Sequence, residues 1–404
     1  MLKVLWVSDA PYASSGYSVE TALAARRLRH HCDLALLATF GLHGARLDWE
    51  GIPLYPGGND PFANDVVKAA ALDWRADIVI TLKDTFVFNP QAYEGLRWLP
   101  LTPVDHEPLP AQIAERLRHA YRPIAYAPQG FRALRDAGFD PLFAPHGYDP
   151  AVFHPIPPSE ARKFLNLPDD LFIVGTVAVN RGGIPSRKAW AENLQAFALF
   201  ARAHPDAYYY VHTALADNGE EGGIPLRVLA AQLGVGDRII PCNQDIYKTG
   251  FPNEYLLALY NSMDVLNAVS LGEGFGIPQL ESQACGVPIV SSEWAAARDL
   301  NFAGWAVPDA RGHRHRFFDS QGSYVFMPDP EAIAEQLEAA YVALHEPGER
   351  DRRRAACLAA AAPYQIDRVV AEHWVPLLAE VEHDIRETAS RGVLRIIKRE
   401  EVFA

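Results

Sequence analysis

The sequence predicts an α/β protein of two domains, each a parallel sheet with helices on both faces. Three observations carry this. The chain has 404 residues, 49% of them hydrophobic, which is more than one ordinary core organises. Short apolar runs alternate with amphipathic stretches through both halves, the pattern of strands and crossover helices. A proline-rich segment, Pro150 to Pro168, lies between the halves and reads as a linker.

The elements follow in order. In the first half, Lys3 to Ser8, Cys32 to Thr39, Asp77 to Leu82, Leu99 to Val104, Pro123 to Ala127 and Pro141 to Pro145 read as buried strands. Helical patterns lie between them, such as Ser18 to Arg29 and Ala111 to Ala120. In the second half the strands are Phe172 to Val179, Ala207 to Thr213, Arg238 to Pro241, Val265 to Val269, Pro288 to Ser291 and Tyr324 to Met327. The tail from Asp367 is helical, anchored by Trp374, Leu377 and Leu378, with a charged end from Arg395 to Glu401.

Composition narrows the function. A net charge of −13 gives the chain as a whole no footprint for nucleic acid. Two basic clusters stand out locally: Arg26, Arg27, Arg29, His30 and His31, and Arg116, Arg118, His119 and Arg122. Each reads as a solvated helix face or as a surface for an anionic membrane or charged acceptor. Cys32, Cys242, Cys285 and Cys357 form no C-x-x-C pair and read as buried thiols of a cytoplasmic protein. The first eight residues are a strand, too short for a signal peptide, and no run of 18 apolar residues suggests a membrane span. Phosphate-loop, zinc-protease, nucleophile-elbow and dinucleotide fingerprints are absent, as is an Asp-x-Asp pair.

The densest signal is Gly272-Glu273-Gly274-Phe275-Gly276-Ile277-Pro278-Gln279-Leu280-Glu281. It follows a buried strand and opens a short helix that stops at Gly286. Gly274 and Gly276 allow positive φ and a close approach of backbone to ligand. Amides at a helix start favour an anion, and the two carboxylates suit hydroxyl groups. Amides for phosphate and carboxylates for hydroxyls fit a sugar nucleotide. A second segment, Asn180-Arg181-Gly182-Gly183-Ile184-Pro185-Ser186-Arg187-Lys188, follows the first strand of the second half and places cations in a glycine-rich turn, a sensible diphosphate clamp.

These segments, with Pro145-His146-Gly147-Tyr148-Asp149 through Phe153 and Pro155, resemble the motifs of retaining glycosyltransferases of family 4, including its E-x7-E signature. The resemblance implies the GT-B fold: two Rossmann-like domains facing each other across a cleft. The expected domains are 1–155 for the acceptor and 156–375 for the nucleotide-sugar donor. A C-terminal helix, 376–404, is expected to cross back to the first. Glu281 would bind the donor ribose and Glu273 the sugar. Gly274 and the amides of Phe275, Gly276 and Ile277 would contact the donor. Lys188, with Arg181 or Arg187, would hold the leaving diphosphate. From the first half the resemblance carries over Gly16, in a loop otherwise different from the family's, and His106 near the transferred sugar, with Asp105 and Glu107 beside it.

The implied activity is retaining transfer of a hexose from a UDP- or GDP-sugar to an unidentified acceptor. No metal and no cofactor beyond the donor are expected. Two rival classes are a GT-B sugar-nucleotide epimerase and a non-catalytic sugar-nucleotide binding protein. Nothing in the sequence names the base, the sugar or the acceptor; Asn243, Asp245 and Tyr247 mark one place for the base.

Overall fold

The computed structural model describes residues 1–182, 185–216, 222–309 and 316–390, side chains at 389 and 390 excepted. The charged end from Arg395 to Glu401 lies outside these residues. The chain forms two compact units.

The first unit comprises 1–147, 320–323 and the chain from Tyr364. Its strands are β1 (Lys3–Ser8), β2 (Asp33–Ala38), β3 (Leu47–Trp49), β4 (Ile52–Tyr55), β5 (Ile78–Leu82), β6 (Trp98–Thr102), β7 (Ile124–Ala125) and β8 (Leu142–Phe143). They lie in the order β3-β4-β2-β1-β5-β6-β7-β8. All pairs are parallel except the edge hairpin β3–β4. The central strands are buried along their length, which is why they read as unbroken apolar runs rather than alternating ones.

The second unit comprises 148–319 and 324–363. Its strands are β9 (Phe172–Val177), β10 (Ala207–His212), β11 (Ile239–Pro241), β12 (Val265–Asn267), β13 (Ile289–Ser292) and β14 (Trp305–Val307). Their order, β11-β10-β9-β12-β13-β14, is wholly parallel. Numbered from β9, this is the 3-2-1-4-5-6 sequence of a doubly wound sheet. Below it Trp190, Leu194, Phe197, Tyr209, Trp294 and Leu337 pack in one core.

Four expectations are corrected. The proline-rich segment is no free linker: Pro158–Leu165 is a helix of the second unit. Its buried Arg162 pairs with Asp264 at 2.9 Å. Proline at a first helical turn is well tolerated because no intrahelical bond is lost there. The unit boundary therefore falls after Gly147 rather than at 155, and the return to the first unit begins at Tyr364 rather than at 376. Gly147 marks that return, since a Cβ there would lie 3.0 Å from Ile366 Cα and from Tyr364 O. The last helix, Val375–Ser390, belongs to the first unit, where Glu380 pairs with Arg122 at 2.5 Å. Finally, Tyr324–Phe326 (β16) joins no parallel sheet; it pairs antiparallel with Arg316–Phe318 (β15).

Three residues of the basic clusters are ion-paired within the first unit. Arg26 holds Glu50 at 2.8 Å, Arg27 pairs with Asp367, and Arg122 meets Asp140, Glu380 and Asp384. This favours the reading of solvated, structural faces. All four cysteines are buried free thiols.

Candidate donor site and its counterpart in the first unit

In the second unit the strand order reverses between β9 and β12, and ligands of doubly wound sheets bind outside the carboxyl ends at such a switch point. The loops leaving these two strands carry the predicted residues. The loop after β9 reaches Lys188 before the helix Trp190–Phe200. The loop after β12 runs to Glu273 and then into the helix Ile277–Ala284.

Several bonds lock the loops together. The Leu271 amide donates to Arg187 O at 2.9 Å. Asn193, fully buried on the Trp190–Phe200 helix, donates to Lys188 O at 3.1 Å and to Val269 O at 3.0 Å. Asn267 in turn donates to Asn193 Oδ1 at 3.1 Å. Beneath them Thr176 Oγ1 donates to Asn267 O and lies 2.7 Å from Tyr209 Oη. Buried polar groups connected in this way specify a single arrangement.

The result is an ion pair. Lys188 Nζ donates to Glu273 Oε1 at 2.6 Å. Arg187 Nη1 donates to Gly272 O at 3.0 Å and lies 3.4 Å from Glu273 Oε2. Burial works to raise the Glu273 pKa, but the charges of Lys188 and Arg187 and the Lys188 hydrogen bond outweigh it, so the group is held below the ordinary carboxylate value. Glu273 is thus a buried anion, an acceptor of hydrogen bonds.

After Glu273 the chain turns through Gly276 at φ 109°, where a Cβ would meet the Gln279 side chain at 2.9 Å. Only glycine suits this helix start. Gly274, expected to share that role, is not among the positive-φ glycines. Phe275 is buried. At the start of the following helix Pro278 has no N–H and the amides of Gln279 and Leu280 both donate to Gly276 O, so an anion there would meet the amides up to Ile277. Glu281 lies half-buried on that helix and accepts from Tyr260 Oη at 2.6 Å.

Arg181 is exposed and its charge acts on Tyr247, and Arg187 is paired with Glu273. Gly183 and Ile184, between them, lie outside the described residues. Asn243 is occupied as a helix cap, its Oδ1 accepting from the amides of Asp245 and Ile246 at 3.0 Å. Among the described residues no group of three His, Cys, Asp or Glu side chains is arranged to hold a metal ion. No helix of the described residues is long and apolar enough to cross a membrane.

The first unit carries the other predicted residues. Gly16 is the first residue of the helix Gly16–Leu28, capped by Ser15. His106, after β6, is buried with Nδ1 2.6 Å from Asp105 Oδ1. The switch point of this sheet lies between β1 and β5, and a second lysine–carboxylate pair occupies it. Lys83 Nζ lies 2.7 Å from Asp9 Oδ1, and Ser15 Oγ donates to Asp9 Oδ2 at 2.6 Å.

Sequence reasoning passed over Asn193, Tyr260, Lys83 and Asp9. Asn193 had a signal: it interrupts the apolar stripe Trp190, Leu194, Phe197 at helical spacing. Tyr260 had none, because a tyrosine on a buried helix face reads as core.

Comparison with known proteins agrees with this geometry. Residues 236–341 match the family model of glycosyl transferases group 1. The D-inositol 3-phosphate glycosyltransferase of Acidothermus cellulolyticus is 32% identical over 152 residues, 37% of this chain and 32% of that protein. The same enzyme of Stackebrandtia nassauensis shows the same figures. The chain thus spans about a third of the length of these curated relatives. Among solved structures, sucrose-phosphate synthase from Thermosynechococcus elongatus superposes with a TM-score of 0.73 at 16% identity, covering 96% of this chain and 100% of that one. Anabaena HepE in complex with UDP-glucose does so with a TM-score of 0.65 at 16% identity, covering 97% and 100%. At such identity the structural likeness speaks for the fold, GT-B. The chain thus has the GT-B fold, and residues 236–341 of its second unit match the glycosyl transferases group 1 family.

Proposed function

We propose that the chain is a retaining hexosyltransferase, moving a hexose from a UDP- or GDP-sugar to an acceptor without a metal ion. The observation that carries this reading is the buried Lys188–Glu273 pair at the switch point, beside the start of the helix Ile277–Ala284. A lysine next to the glycine turn that opens this helix suits the diphosphate, whose negative charge grows as the sugar leaves. Lys188, with Arg181 or Arg187, then neutralises the leaving group; the Arg187 contact with Glu273 supports Arg187. Glu273, kept anionic, accepts from sugar hydroxyls near the reacting carbon. The amides of Phe275, Gly276 and Ile277, reached past Gly274, take phosphate oxygens, and Glu281 takes the ribose. From the first unit, Gly16 and His106 are assigned to the donor phosphate and the transferred sugar.

The relatives support the substrate class: a D-inositol 3-phosphate glycosyltransferase, and HepE in complex with UDP-glucose. A cytoplasmic location belongs to the same proposal and rests on the four buried free thiols. The test is a thermal-shift screen with UDP-, GDP- and ADP-sugars, followed by transfer assays with the donor that binds. The reading expects an α-donor to give an α-product, with turnover unchanged by a chelator. Inversion of the anomeric centre, or strict dependence on Mg²⁺ or Mn²⁺, would contradict it. Epimerisation of the donor without acceptor, or tight binding with no turnover, would replace it by the rival classes.

A further inference from the structure

The mechanism above leaves one buried titratable group at the site without a role. Tyr260 is fully buried on the helix Asn253–Ser262 and donates to Glu281 Oε2 at 2.6 Å. Burial, and then the negative charge of Glu281, push the phenol well above its ordinary pKa, so it remains a donor. The ring is held in place. Phe153 packs edge-on against it, with centroids 5.8 Å apart and planes at 74°. The next residue on the helix, Asn261, clips the same segment, donating to His154 O at 3.0 Å and accepting from the Ile156 amide at 2.9 Å.

A glutamate side chain has three rotatable bonds, and a carboxylate that reads a vicinal diol must offer both oxygens in one plane. Fixing one oxygen from behind removes that freedom before the ligand arrives. We propose that Tyr260 is a positioning residue: by holding Oε2 it sets the plane of the Glu281 carboxylate, and so makes the donor site choose ribonucleotides over 2′-deoxyribonucleotides. This rests on the assignment of Glu281 to the ribose. A ligand lacking one hydroxyl leaves a pre-set carboxylate oxygen without its donor, which is where polar sites gain their selectivity.

The test is calorimetric. UDP and GDP are each titrated against their 2′-deoxy forms, on the wild type, Tyr260→Phe and Glu281→Gln. Tyr260→Phe keeps the ring against Phe153 and removes only the hydroxyl. The affinity ratio of two ligands on one sample does not depend on the fraction folded, so a loss of stability does not obscure it. The wild type should prefer the ribonucleotide by roughly tenfold or more, as for a hydrogen bond to a charged group. In Tyr260→Phe the preference should fall to about threefold or less, by weaker binding of the ribonucleotide with the deoxy form nearly unchanged. If Tyr260→Phe keeps the full preference while Glu281→Gln loses it, Tyr260 is only a tie between helices and the inference is overturned. If Glu281→Gln also keeps it, or the wild type has none, Glu281 does not read the ribose and both assignments fall.

Discussion

Replacing Asn193 should injure both the stability of the second unit and the donor site. Its amide is fully buried and makes three hydrogen bonds: to Lys188 O at 3.1 Å, to Val269 O at 3.0 Å and from Asn267 at 3.1 Å. In Asn193→Ala two carbonyls and one side-chain donor lose their partner in a dry interior. At about 0.5–1.5 kcal/mol for each of the three bonds, the loss is about 2–4 kcal/mol. For a unit of this size that lowers Tm by roughly 5–15 °C. Asn193→Asp keeps the volume but turns the donor into a charge facing two carbonyls, and should be worse than alanine. Because the two carbonyls belong to the loops that bring Lys188 to Glu273, kcat/KM should fall in the same variants, measured well below their Tm. Calorimetric melting and steady-state transfer read the two effects. A melting point within about 1 °C of wild type, together with unchanged kcat/KM, would refute the idea that this amide ties the loops.

Two further outcomes follow from the same geometry. Lys188→Ala should lower turnover at saturating donor by on the order of ten- to a thousand-fold, as for loss of one stabilising donor; wild-type turnover would remove Lys188 from the mechanism. His212, at the end of β10, is held neutral by burial, its pKa lowered from 6.5 to about 4. A depressed histidine favours the fold while neutral, so its contribution is full above pH 6.5 and is lost as pH falls toward 4. The loss is on the order of 3 kcal/mol. Tm followed from pH 7 to pH 4 should fall less steeply in His212→Phe, and identical slopes would show that another group is responsible.

The elements were legible wherever local pattern decides them. The runs at Lys3–Ser8 and Phe172–Val177 are apolar because both faces of a central parallel strand are covered, and that composition is visible without a structure. Short edge strands such as Leu47–Trp49 and Arg316–Phe318 were not legible, since they are half-exposed and carry no such run. The prolines between 150 and 168 misled for a related reason. Proline marks a linker and a first helical turn alike, and only the Arg162–Asp264 pair shows which it is.

At the site, the loop that carries Glu273, the glycine at 276 and the helix bearing Glu281 were legible without a structure. Each rests on residues close together in the chain, so spacing is enough. The tertiary structure decided who meets whom. Lys188 and Glu273 lie 85 residues apart and pair because β9 and β12 are neighbours at the point where the strand order reverses. Arg187 joins them from the position just before Lys188. Tyr260 reads as core because it is core; that its hydroxyl meets Glu281, 21 residues on, is decided by packing. Periodicity reports whether a residue is buried, but partners across a fold depend on strand order and rotamers, which no local pattern encodes.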